Sequence, residues 1–101
     1  MTSAAFTPRA ESEGAEAVDW IRKDNPAAAQ LLRNAIINAA ERIGTHPNLG
    51  VVRPDLARGP YRFLTLTGFP YVVVYNSERR PPLIVRVVHG ARDLPEVLRD
   101  L

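Results

Sequence analysis

The stretch YRFLTLTGFPYVVVYNSERRPPLIVRVVHG, residues 61–90, decides the fold. It holds three apolar runs rich in valine, isoleucine and aromatic residues, separated by glycine, proline and asparagine. Such runs predict strands: one carrying Tyr61, Phe63, Leu64 and Leu66, a second over 71–75 and a third over 83–88. The connections TGFP and NSERRPP are too short for a crossover, so neighbouring strands must run antiparallel as a meander. A meander buries one face against something else, and the cover has to come from upstream.

Upstream of residue 46 the apolar period changes from 2 to 3.6. Thr7–Pro8 supplies a capping hydroxyl followed by a proline whose missing N–H costs nothing at the first helical position. Gly14, Ala17, Val18 and Ile21 then repeat at helical spacing, with acidic residues toward the amino-terminal end, predicting a helix over about residues 8–23. Asn25–Pro26 repeats the start signal. Ala28, Leu32, Ala35, Ile36, Ala39 and Ile43 continue as the stripe of a second helix, with Gly44 as its stop. Two helices so closely joined form an antiparallel hairpin. Ala4 to Phe6 reads as a short edge strand, THPNLGVVRPDLARGP as a punctuated loop with a possible strand near Val51 and Val52, and ARDLPEVLRDL as a short terminal helix begun near Asp93. The fold class expected is α+β: an N-terminal strand and a helix hairpin packed on an antiparallel meander, closed by a C-terminal helix.

The chain has 101 residues, 46% of them hydrophobic, which suits one domain over 1–101. With no cysteine and two isolated histidines, His46 and His89, neither a disulfide nor a metal site is expected, and no cofactor is implied. No run approaches the roughly 20 apolar residues that span a bilayer, and the amino terminus lacks a signal-peptide pattern, so the expectation is a cytoplasmic protein with no membrane partner. Net charge is +2 but unevenly spread: residues 1–50 carry five Lys/Arg against six Asp/Glu, and residues 51–101 eight Arg against five Asp/Glu. A basic second half is compatible with nucleic acid or an acidic protein partner.

DNPAAA between the helices, HPNLG after them, then YRFLTLTGFPYVVVY and LIVRVVHGARD occur in order at characteristic distances. Taken together, from about Phe6 to Asp93, they resemble the RelE/ParE superfamily of toxins from bacterial type II toxin–antitoxin modules, and HGARD looks more like the ParE branch. The resemblance implies a toxin that poisons DNA gyrase by stabilising its cleaved-DNA complex, and a cognate antitoxin, ParD-like or otherwise acidic and partly disordered, that neutralises it in a hetero-oligomeric complex. RelE-like relatives instead cut mRNA on the ribosome, so fold alone does not choose.

The choice rests on residues. RNA cleavage needs a base, an acid and cations around one phosphate. The candidates are His89 with Arg62, Arg86 and Arg92, and strand parity places Arg86 with Val88 on one side of the last strand and Val85 with Val87 on the other. The set is incomplete, because relatives that cut RNA place lysines or a tyrosine after the last strand, where this chain reads GARD. The favoured reading makes His89 part of a turn, with Gly90 bending the chain, Asp93 capping the terminal helix and Arg92 pairing with a carboxylate such as Asp93, Asp55 or the C-terminus. No catalytic residue is therefore expected; if the chain were a ribonuclease, Arg62, Arg86 and His89 would carry it. Trp20 and Ile21 are adjacent and cannot share one stripe: Trp20 either covers the core edge or joins Leu31 and Ile37 in an apolar groove for an antitoxin. The antitoxin-binding candidates are thus Trp20, Leu31, Ile37, Arg62, Arg86 and Arg92. The SERRPP turn reads as a solvated connection.

Overall fold

A computed structural model describes residues 3–101. The elements run β1 (Ala5–Phe6), α1 (Pro8–Arg22), α2 (Pro26–Thr45), β2 (Tyr61–Thr65), β3 (Tyr71–Asn76), β4 (Leu83–His89) and α3 (Leu94–Val97). Both helix starts are capped as the sequence indicates. Thr7 Oγ1 accepts from the Ala10 amide at 3.1 Å and Asn25 Oδ1 from the Ala28 amide at 3.0 Å, with Pro8 and Pro26 at the first helical positions. Gly44 does not stop α2. It stays helical, and the helix ends one residue later at Thr45, where the His46 amide still donates to the Arg42 carbonyl.

The strands form one four-stranded sheet in the order β1-β4-β3-β2. β2–β3 and β3–β4 are antiparallel, the meander expected from the short connections, whereas β1 joins the far edge parallel to β4. The sheet is therefore mixed. Gly68, at φ +84°, makes the turn between β2 and β3 in a conformation that favours glycine. Val51 contributes a single bridge to Phe63, a reduced form of the strand expected there.

The helix hairpin covers one face of the sheet. Ala10, Gly14, Ala17 and Val18 of α1 and Ala29, Leu32, Ile36, Ala39, Ala40 and Ile43 of α2 are buried against Val73, Tyr75, Ile84 and Val87. The α2 stripe begins at Ala29 rather than Ala28, in phase with Leu32 and Ile36. Ile21 packs against this core and Trp20, its neighbour, is left 69% exposed. The opposite face is closed by much less chain: Ala57 and Leu98 are buried there with Phe63, Val74 and Val88, flanked by Leu94, Val97 and Leu101. No helix among the described residues is long and apolar enough to cross a membrane.

Candidate functional site

β4 departs from simple alternation at one point. Val74 pairs with Arg86 and Tyr75 with Ile84, so Val85 is an extra residue, a bulge. The parity expectation fails here for that reason. Ile84 and Val87 share the hairpin face and Val85 and Val88 the other, where unbroken alternation would separate each pair. Arg86 lies at this break and is 4% exposed, the only buried charged residue among those described.

All three guanidinium nitrogens of Arg86 donate inside the fold. Nε donates to both oxygens of Glu13 on α1 at 3.0 Å, Nη2 donates to Glu13 Oε2 at 2.7 Å, and Nη1 donates to the Val97 carbonyl of α3 at 2.8 Å. Glu13 Oε1 also accepts from the Val87 amide at 3.0 Å, a donor beside the bulge. Asp100 adds a longer approach of 3.7 Å and pairs with Arg9 across the surface. The bond to Glu13 raises the Arg86 pKa above its ordinary value, so the charge is fixed. One side chain thus ties helix, sheet and C-terminal segment together, and its burial keeps it from a phosphate.

Arg62 is half-buried at the other end of the sheet, where Nη1 donates to the Gly50 carbonyl at 2.9 Å. The Gly50 amide donates to the buried Tyr75 hydroxyl at 2.8 Å, and that hydroxyl donates to the Pro47 carbonyl at 2.7 Å. A Cβ at position 50 would lie 2.9 Å from the Phe63 carbonyl oxygen and from Tyr75 Cε1, which is why HPNLG ends in glycine. Burial pushes the Tyr75 hydroxyl above its ordinary pKa, against opposing effects from Gly50 and Arg62. It stays a neutral donor and acceptor.

His89 ends β4. Its ring meets Tyr71 edge-on at 5.2 Å between centroids, and Nδ1 accepts from the Ala91 amide at 3.1 Å, which places the proton of a neutral ring on Nε2. The neighbouring residues behave differently from expectation in two respects. Gly90 is not left-handed, and a Cβ there would meet ordinary contacts at 3.5 Å. Asp93 occupies the position before α3 without a side-chain capping bond. Arg92 is exposed and makes no ion pair among the described residues, since Asp55 is taken by Arg53.

Register separates the three residues of the ribonuclease set. His89 pairs with Tyr71, whereas Arg62 pairs with Tyr75, four residues further along β3 and on its other side. At about 3.3 Å per residue and 4.8 Å per strand, this puts them on the order of 15 Å apart. Arg86 is sealed between them. No described cluster of His, Asp and Glu has the makings of a metal site.

The apolar candidates are likewise dispersed. Trp20 lies on one flank of α1 in a recess of about 280 Å³ with Tyr71, His89 and Arg92, and Lys23 Nζ sits 5.3 Å from its ring. Ile37 borders a groove of about 430 Å³ on the other flank of α1, floored by Phe6, Gly14 and Ile36. Leu31 borders neither, and six residues from Ile37 puts it about 120° around α2. The alternative that joins Trp20, Leu31 and Ile37 in one groove therefore fails, because they stand in three separate places. Sequence reasoning missed Glu13 as the partner of Arg86. The signal was present, because Glu13 adjoins the buried positions 14 and 17 and the third strand carries one arginine among its apolar residues.

No curated protein matches the sequence. A solved structure described as the chromosomal ParDE toxin–antitoxin system from P. aeruginosa superposes with a TM-score of 0.72 over 88% of this chain and 96% of that one, at 21% identity. That likeness concerns the fold. The model of the family described as ParE toxin of type II toxin–antitoxin system, parDE, matches residues 4–94, nearly the whole chain. This chain therefore belongs to the ParE toxin family.

Proposed function

We propose that the chain is the toxin of a type II module, that it acts by binding DNA gyrase and holding its cleaved-DNA state, and that a cognate acidic antitoxin neutralises it by covering its surface. The match to the ParE family over residues 4–94 supports this assignment. The observation that favours binding over catalysis is the dispersal of Arg62, Arg86 and His89. Cleavage through the RNA 2′-hydroxyl requires acid, base and cation within hydrogen-bond reach of one phosphate. Here Arg86 is spent on Glu13, and Arg62 and His89 stand at opposite ends of the sheet.

A toxin of this kind works by population shift. By preferring cleaved gyrase–DNA over the resealed form it raises the fraction of broken DNA by its differential affinity, with no chemistry of its own. Induced expression should arrest growth, and co-expression with the product of the adjacent reading frame should restore it. His89→Gln removes the imidazole, and with it any acid or base at this position, and should keep the toxicity. Loss of toxicity in a folded His89→Gln chain would turn the reading toward a ribosome-dependent nuclease.

A further inference from the structure

The quadrant around β2 combines features found nowhere else among the described residues. From Arg42 to Ser77 the chain carries four arginines and a single acid, Asp55, a net of +3. Asp55 is held in a two-point bond by Arg53 at 2.8 and 3.1 Å, so Arg42, Arg58 and Arg62 have no carboxylate against them among the described residues. The same side exposes Val51 and Val52, at 60% and 47%, and Leu31 at 60%.

These residues follow one line. Leu31, Ala35, Asn38 and Arg42 recur at i, i+4, i+7 and i+11, one flank of α2, and the last three border a shallow groove against Leu64 to Thr67 at the end of β2. Val51 crosses the middle of β2, its amide donating to Phe63 and its carbonyl accepting from Phe63. It is presented rigidly, because the preceding Gly50 is held by Tyr75 and Arg62. Tyr61 and Thr65, two residues to either side of Phe63, point their main-chain groups outward in the same direction, and among the described residues no backbone partner meets them there. Beyond the Val51 bridge the edge of β2 is thus open only at Tyr61 and Thr65, beside exposed β-branched residues that lack apolar cover.

We infer that this rim, formed by the outer edge of β2, the Val51–Val52 pair and the Leu31–Arg42 flank of α2, docks an acidic segment with apolar anchor residues. The inference rests on the antitoxin reading above and adds where the partner sits and by what chemistry. Acidic protein fits better than nucleic acid. The rim has three arginines and no exposed aromatic platform for bases, whereas its valines and leucine need apolar cover. The Trp20 recess is a poorer acceptor of acid, because Glu16 faces it along with Arg92.

The test is the affinity of the purified adjacent-frame antitoxin for the whole chain across a salt series. The double variant Arg42→Glu, Arg58→Glu should weaken binding at least about tenfold at low salt, with the gap narrowing as salt rises. Val52→Asp should weaken it also, and Arg33→Glu, about half a turn around α2 from Arg42 on the side of the Ile37 groove, should not. Far-UV circular dichroism establishes that each variant is folded. Wild-type affinity in the rim variants, with loss in Trp20→Ala or Ile37→Asp, would overturn the inference and leave the antitoxin reading standing. No binding by the wild-type chain would overturn both. Loss of duplex-DNA binding in the rim variants without loss of antitoxin binding would mean that the rim serves nucleic acid, and would overturn it equally.

Discussion

Arg86 and Arg42 are the same residue under opposite conditions. Arg86 sits where β4 bulges, sealed from water, with its donors taken by one carboxylate and one carbonyl. Arg42 sits on the rim of the sheet beside a shallow groove, with no acid paired to it among the described residues. Whether an arginine holds the fold together or stands exposed at the surface is thus set by its neighbours. Glu13, five residues into α1, makes the difference for Arg86. An apolar strand interrupted by one arginine looked like a phosphate clamp, and it is instead the point where three elements are joined.

The comparison breaks most visibly at Arg86. Arg86→Ala leaves the Glu13 carboxylate largely buried without its cation and the Val97 carbonyl without a donor, so a loss of about 3 kcal/mol is expected in urea unfolding. The same change at Arg42 should move stability by less than about 0.5 kcal/mol. If the two variants unfold alike, the contrast is mistaken.

Next in size is the clamp that presents the rim. Gly50→Ala drives a Cβ against the Phe63 carbonyl and the Tyr75 ring, with an expected loss of about 1–3 kcal/mol. Tyr75→Phe keeps the ring but leaves the Gly50 amide and Pro47 carbonyl without their shared partner, costing about 1–2 kcal/mol. Hydrogen exchange should quicken at Gly50 and Val51 in Tyr75→Phe while the amides of α2 keep their protection; uniform loosening would show that the clamp acts on the whole core.

The sequence made most of this framework legible. Thr7–Pro8 and Asn25–Pro26 marked both helix starts because capping is a local event, and TGFP and NSERRPP fixed the antiparallel meander because a short connection permits little else. What stayed hidden was non-local. The bulge at Val85 inserts a residue without any composition signal, and it shifts every later side chain of β4 to the other face. The parallel pairing of β1 with β4 joins residues far apart in the chain. Trp20, Leu31 and Ile37 could be read as one groove because spacing alone does not say which flank of each helix meets the sheet; packing set Trp20 and Ile37 beside separate recesses on opposite sides of α1.

The smallest effect concerns the outer layer of the Arg86 cluster. Hydrogen bonding from Arg9 holds the Asp100 carboxyl below its ordinary range, with Arg86 adding to it. A folded pKa lowered below the unfolded one gives stability that is present above the unfolded value, near 3.9, and is lost as pH falls through the folded value. The melting temperatures of the wild type and Asp100→Asn should therefore differ slightly at pH 7 and converge in strong acid. The pair is exposed, so a small difference is the expected result. A difference as large as that of Arg86→Ala would move the anchor of the C-terminal segment from the buried cluster to the surface.

The central claim is that this toxin acts by binding, with Arg86 and His89 serving the fold. The most direct measurement incubates the purified chain with gyrase, ATP and supercoiled plasmid, traps the products with detergent and protease, and quantifies linear DNA for the wild type and for His89→Gln. Linear plasmid accumulating to the same level with both proteins is the predicted result. A folded wild-type chain that yields no linear DNA, or that instead cleaves mRNA on translating ribosomes in a His89-dependent manner, would contradict the account.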